Sequence, residues 1–239
     1  MKDNHRNAKK GKNSIIIWQQ NINKSRACQH DLISSGKLIE KGIDIVAYQE
    51  PSINAFNKSI ASRDWKAIYP SMHESSPQKT RTLILVRDGI LTDSWDQLDI
   101  QSGDITAISI KGTWGKITIV NIYNDCKHNN TIELLTKYHR VHNEELMGTV
   151  ETQDKHHLIW VGDFNRHHPY WDAPENNGLF TRGALEQAEM LIQVLAELGL
   201  EMALAVGTPT HEHYVTKRWS REDQVFAMEL LCHSGTFCT

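Results

Sequence analysis

The chain has 239 residues, 39% of them hydrophobic, and a formal net charge of −3. That length supports one large core burying roughly 70 to 75% of the unfolded surface. No apolar run approaches the roughly 18 to 20 residues needed to cross a bilayer, and Ile15 to Trp18 is too short for a signal-peptide core, so membrane partners are excluded and an intracellular protein is expected. The charge is uneven: residues 1–12 hold five Lys/Arg against one Asp, which leaves 21 cations against 28 carboxylates, or −7, in the remainder. An acidic body argues against broad electrostatic adhesion to nucleic acid and suits a site that gathers carboxylates around a cation. Cys28, Cys126, Cys232 and Cys238 lie far apart without CxxC spacing, so neither a disulfide framework nor a cysteine zinc site is indicated.

After a basic leader over 1–13, Ser14 to Gln20 reads as a buried strand, since three consecutive isoleucines and a tryptophan are β-branched or aromatic and too few for a helix. The spacing of Ala27, Leu32, Leu38 and Ile39 predicts a helix over Arg26 to Lys41, stopped by Gly42. Strands are predicted over Ile43 to Tyr48, Thr80 to Arg87, Ile105 to Ile110 and Lys116 to Tyr123, the last two joined by a turn at Lys111-Gly112-Thr113. A helix over Thr131 to Met147 precedes a strand over His157 to Val161. The strongest helix is Gly183 to Leu198, whose Leu185, Ala188, Leu191, Ile192, Leu195 and Leu198 form an apolar stripe and belong to the core. Leu200 to Leu204 and Gln224 to Met228 are the last predicted strands. About eight strands and three helices without strict alternation fit two mixed sheets packed face to face with helices outside.

Several of these strands end in residues able to ligate a hard cation: Asn21, Glu50, Tyr123-Asn124, and Asp163 with Asn165. Strands lying side by side bring such ends to one rim. Magnesium needs only one or two carboxylates, with water and substrate phosphate completing its shell, and Glu50 is the best direct ligand. Each residue taken alone also fits an ordinary turn or cap. In Gly-Asp-Phe-Asn (162–165) the glycine permits a tight exit from the sheet, and the Asp and Asn stand two positions apart.

The ordered set Gln-Gln-Asn-Ile-Asn (19–23), Tyr-Gln-Glu-Pro (48–51), Asn-Ile-Tyr-Asn (121–124), Gly-Asp-Phe-Asn-Arg-His-His-Pro-Tyr-Trp (162–171), Thr-Pro-Thr (208–210) and Ser-Arg-Glu-Asp-Gln-Val-Phe (220–226) resembles the endonuclease/exonuclease/phosphatase superfamily. Within it the chain is similar to the apurinic/apyrimidinic-like endonuclease domains of non-long-terminal-repeat retrotransposons, particularly fungal ones. The resemblance implies an α/β fold, a four-layer α-β-β-α sandwich of two mixed sheets (DNase I-like) over 14–230, and Mg²⁺- or Mn²⁺-assisted attack of water on a phosphodiester of double-stranded DNA. Carried over to this sequence, it makes Glu50 a metal ligand, with Asn21 holding the metal-bound phosphate. Tyr123 contacts the scissile phosphate, Asp163 and Asn165 orient the water or serve the leaving oxygen, and Thr210 and Asp223 support them. It also implies a nuclear, monomeric protein whose parent element carries a reverse transcriptase.

The resembled family closes with a strand ending in Ser/Thr-Asp-His. This sequence departs from that pattern after about Glu229, and its late His233 is followed by Ser-Gly-Thr. The last strand is therefore expected to be missing, 231–239 to be a tail unlike the family, and activity to be weak or absent. The alternative is a non-catalytic remnant that binds metal or nucleic acid. A phosphatase of inositol phosphates or lipids is a third reading, disfavoured by the His-His-Pro-Tyr-Trp block. His211 and His213 would face the same way in an extended segment, as zinc ligands must, but no third ligand is placed by spacing. Lys217, Arg218, Trp219 and Arg221 form a compact group in which cations can meet phosphates and an indole can stack on a base. The competing reading is a solvated turn with its tryptophan in the core.

Overall fold

A computed structural model of the chain describes residues 14–228 apart from 61, 113, 150–151, 153–154, 213–216 and 218. The basic leader, Arg218, His213, His233 and the tail over 231–239 lie outside the described residues. The first half runs β1 (Ile17–Asn21), α1 (Arg26–Ser34), α2 (Lys37–Glu40), β2 (Ile45–Gln49), β3 (Trp65–Ile68), β4 (Thr82–Arg87), β5 (Trp95–Leu98), β6 (Ile105–Gly112) and β7 (Gly115–Tyr123). The second half follows with α3 (Asn130–Val141), α4 (Asn143–Met147), β8 (His156–Asp163), α5 (Arg182–Leu198), β9 (Leu200–Met202), β10 (His211–Glu212), β11 (Trp219–Ser220) and β12 (Asp223–Met228).

The strands form a four-stranded sheet in the order β1-β2-β4-β3 and a six-stranded sheet in the order β5-β6-β7-β8-β12-β9, while β10 and β11 pair as a short hairpin. Both sheets are mixed. Strand β1 is parallel to β2 and β7 is parallel to β8, each pair joined through helices, as a parallel crossover requires; the remaining pairs are antiparallel. The alternation of side chains along a strand explains the layers. In β2, Ile45 and Ala47 enter the space between the sheets with Ile84, Val86, Ile108, Ile119 and Val161. Val46 and Tyr48 point the other way, onto Ile33 and Leu38 of α1 and α2. On the far side, Val120, Trp160 and Phe226 pack under Ile132 and Leu135 of α3 and Leu191 and Leu195 of α5. Four layers, α-β-β-α, result.

The structure departs from the sequence reading in particular places. The helix expected over Arg26 to Lys41 is broken at Gly36, which takes φ 71°, and it buries Gln29 and Ile33 where Ala27 and Leu32 were expected to lead. The helix expected over Thr131 to Met147 breaks at His142. Strands β3 and β5 were not foreseen, because each is a four-residue edge strand with only its end residues buried, too short for a period to show. Helix α5 agrees closely: Thr181 caps it by accepting from Ala184 N, Gly199 ends it at φ 62°, and Val194 joins the buried stripe while Leu185 and Ile192 stay half-buried. Among the described residues, β1 is an edge strand, and all five of its residues are half-buried. No helix among them is long and apolar enough to cross a membrane.

Candidate active site

Strand direction assembles the site. Because β1 and β2 are parallel, Asn21 and Gln49 finish side by side, and Glu50 follows at the same end. Because β7 and β8 are parallel, Tyr123 and Asp163 finish side by side in the other sheet. Strand β12 runs antiparallel to β8, so its first residue, Asp223, lies opposite Asp163. One hydrogen bond then joins the two sheets at this rim: Asn21 Nδ2 donates to Asp163 Oδ2 at 2.7 Å. Glu50 and Asp163 therefore share one side of the molecule, and the strand-end residues expected to converge do so.

The Asp163 carboxylate is 4% exposed and fully engaged, its Oδ1 accepting the Asn165 N–H at 3.0 Å. Burial raises its pKa to about 6; the Asn21 hydrogen bond opposes this, and the charges of Glu222 and Glu50 add to it. Asn165 sits at φ 49° and ties back through Nδ2 to Asn124 O at 2.8 Å. Tyr123 is pushed up to about 12 by burial and then by Glu50 and Asp163, so its phenol keeps its proton at neutral pH. Gly162 serves close approach as much as a turn: it adopts φ 144°, and a Cβ there would lie 1.9 Å from Ile122 O on β7.

Glu50 is held by its backbone. At φ 47° it occupies a region that residues with side chains seldom adopt. Its N–H donates to Arg81 O at 2.8 Å, and its carbonyl accepts from Lys24 N at 2.8 Å. The carboxylate itself accepts no hydrogen bond among the described residues; Lys24 Nζ lies 3.8 Å from Oε1. A hard-oxygen donor left open beside Asn21 is the chemistry a magnesium or manganese ion requires. Among the described residues no three His, Cys, Asp or Glu are grouped to share one ion.

Beneath the rim runs a chain of amides that the sequence did not disclose. Gln19 Nε2 donates both to Gln49 Oε1 at 2.6 Å and to Asp223 Oδ1 at 2.8 Å. Gln49 Nε2 donates to Asn121 Oδ1, and Asn121 Nδ2 donates to Tyr48 O and Leu83 O at 2.9 and 3.0 Å. Asp223 is raised to about 8 by burial and the neighbouring Asp163, with Gln19 opposing. Its N–H donates to Thr210 Oγ1 at 3.2 Å, which puts Thr210 beside the site. The signal available for these amides was weak: Gln19, Gln49 and Asn121 sit inside the quoted motifs, but nothing in the spacing shows that they meet between sheets.

The group on the β10–β11 hairpin divides. Trp219 is 53% exposed, and Lys217 is exposed on the same hairpin with Nζ 3.6 Å from Glu212. Arg221 corrects the expectation of a phosphate-facing cation. It is 1% exposed, donates through Nη1 to Ala205 O at 2.7 Å, and takes its backbone N–H to Asp172 Oδ1 at 3.2 Å. Burial lowers it to about 10. The Arg-His-His-Pro-Tyr-Trp run is likewise largely structural. Arg166 is buried and donates to the carbonyls of Asn165, Asp125 and His128, while Trp171 is buried with Nε1 on Arg166 O at 2.9 Å.

A four-layer α-β-β-α sandwich of two mixed sheets, with oxygen-bearing side chains gathered where both sheets finish, is the DNase I-like fold. Residues 117–229 match the model of the endonuclease-reverse transcriptase family. Solved structures agree in fold. The endonuclease domain of TRAS1, a telomere-specific non-LTR retrotransposon, superposes with a TM-score of 0.69 at 18% identity, covering 92% of this chain and 88% of that one. The AP endonuclease LMAP from Leishmania major gives 0.64 at 10% identity, covering 92% and 80%. The 3'-5' exonuclease NExo from Neisseria meningitidis gives 0.59 at 15%, covering 91% and 88%. No curated protein matches the chain by sequence.

Proposed function

We propose that this domain nicks double-stranded DNA in a reaction that requires Mg²⁺ or Mn²⁺. The observation that carries the reading is the Asn21–Asp163 bond, which brings the end of the sheet that carries Asn21 and Glu50 against the end that carries Asp163 and Asn165. Glu50, with its open carboxylate, would hold the ion beside Asn21; a bound ion supplies Lewis-acid polarisation of a phosphoryl oxygen. Tyr123, protonated at neutral pH, donates to a non-bridging oxygen of the scissile phosphate as negative charge builds there. Asp163, poised near 6, orients the attacking water and accepts its proton as the new oxygen–phosphorus bond forms and the bond to the leaving strand breaks. Asn165 steadies the Asp163 carboxylate through its N–H.

The DNA-facing surface follows from the same rim. Exposed Lys24, Lys79 and Lys127 stand on connections at this end of the sheets, and Trp219 and Lys217 extend it along the hairpin. Local cations of this kind bind phosphates although the body of the chain is acidic. DNA as substrate implies a nuclear site of action, and the matched family implies a reverse transcriptase in the parent element.

The second reading is a domain that binds without cutting. Asp223 favours it: its Oδ1 is already taken up within the chain by Gln19. Incubating supercoiled plasmid with wild-type protein separates the two. Open circles that form in Mg²⁺ or Mn²⁺, vanish in chelator and are absent with Glu50→Ala establish the nuclease. Folded wild-type protein that shifts DNA in a salt-sensitive way yet leaves plasmid supercoiled establishes the binder.

A further inference from the structure

Arg81 stands immediately before β4 and reaches both halves of the rim. Its carbonyl accepts the Glu50 N–H, and its own N–H donates to Gly103 O, both at 2.8 Å. Its guanidinium forms a two-pronged contact with Asp104, Nε to Oδ1 at 2.6 Å and Nη2 to Oδ2 at 2.7 Å, and a third contact from Nη1 to Asp125 Oδ2 at 2.8 Å. The guanidinium carbon lies over the Tyr123 ring, 4.6 Å from its centroid. Asp104 closes the circuit, because its carbonyl accepts the Tyr123 N–H at 2.9 Å.

We infer that Arg81 is a positioning residue that fixes Glu50 and Tyr123 relative to each other across the two sheets. Glu50 belongs to the end of the four-stranded sheet and Tyr123 to the six-stranded one, so the strand ladders alone do not set their spacing. Glu50 also needs a backbone clamp to stay at positive φ, and the Arg81 carbonyl supplies half of it. A planar fork that engages Asp104 in two places is held in one orientation, and that orientation lays it flat on the tyrosine ring. A lysine ammonium has neither the fork nor the flat face. The role in turnover rests on the proposed nuclease reading; the role in holding the ring does not.

The test uses the full chain labelled with 3-fluorotyrosine, the Tyr123 ¹⁹F resonance being assigned by its loss in Tyr123→Phe. In Arg81→Gln the Tyr123 resonance shifts and broadens while the other five tyrosines keep theirs. Plasmid nicking falls about 10- to 100-fold in kcat with KM within about twofold, the range expected when a group supporting catalytic residues is lost. Arg81→Lys restores less than about a tenth of that loss, because charge without the fork is insufficient. If Arg81→Gln does not fold, Asp125→Asn, which removes one arm of the fork's anchorage, is expected to move the same resonance. An unmoved Tyr123 resonance in a folded variant overturns the inference whatever the nuclease assay gives, and so does full rescue by lysine. Wild-type protein that fails to nick counts against the nuclease reading alone and leaves the resonance to decide the role of Arg81.

Discussion

Asp163 and Asp223 stand opposite one another, the last residue of β8 against the first of β12, and both keep their protons more tightly than a solvated acid would, Asp163 through burial and Asp223 through burial and the charge of Asp163. A pair of this kind titrates as a unit.

Both acids bind protons more readily in the folded chain than in the unfolded one. The stability they contribute is complete below the unfolded value of 3.8 and is lost as pH rises through about 6 and then about 8. In chelator, melting temperature should therefore fall from pH 5 to pH 8.5. Asp223→Asn should flatten that fall and melt about 3 °C or more above wild type at pH 8.5, on the scale of about 2 to 4 °C per kcal/mol for a chain of this size. Mg²⁺ should raise the wild-type melting temperature more at pH 8.5 than at pH 5, since a nearby cation favours the ionised acids. Parallel pH profiles for wild type and variant would count against the assignment.

Gly162→Ala should cost a few kcal/mol, about 3, because the added carbon meets Ile122 O at 1.9 Å on a backbone at φ 144°. The lost space separates β7 from β8 where Tyr123 and Asp163 finish, so nicking should be lost as well. Urea unfolding measures the first effect and plasmid relaxation the second. A variant as stable as wild type would show that the strands part without strain.

The amide chain predicts coupling. Gln49→Ala and Asn121→Ala each strip a partner from buried groups and should each destabilise by about 1 to 3 kcal/mol. Together they should cost less than the sum, since both remove the same Gln49–Asn121 bond. Denaturation of the four members of this cycle decides it, and strict additivity would mean that the amides act separately.

Two neighbouring side chains should separate by assay. Trp219→Ala should leave the melting temperature unchanged and weaken single-stranded or nicked DNA binding about tenfold, in line with about 1 to 3 kcal/mol for one stacked base. Arg221→Ala should lower the melting temperature by removing a buried group bound to Ala205 O and next to Asp172. DNA titrations alongside thermal melts would expose the opposite pattern if the sequence grouping of these residues were the better guide.

Much of this architecture was legible because strand and helix periods are local. The run from Ile45 to Gln49 is wholly buried and reads as continuously apolar up to its last residue, and the stripe on α5 is kept for more than four turns. The strand-end residues were legible for a related reason, since a polar residue closing an apolar run is visible without a partner. Gln19, Asn121 and Arg81 were not, because what distinguishes them is whom they touch. Gln19 meets Asp223 across 204 positions, and Arg81 meets Asp125 across 44. Arg221 misled for the same cause: next to Lys217 and Trp219 it looks like one more surface cation, while its partner Asp172 lies 49 positions away. Strands β3 and β5 were missed because each is only four residues long and buries just its two end residues.

The Asn21–Asp163 and Gln19–Asp223 bonds span 142 and 204 positions, so the chain must be made as far as Asp223 before the cluster exists. Until β12 has been translated and slotted between β8 and β9, there is no Asp223 for Gln19 to meet. A chain that ends before β12 lacks the Gln19–Asp223 contact, so the cluster closes in a late step of folding.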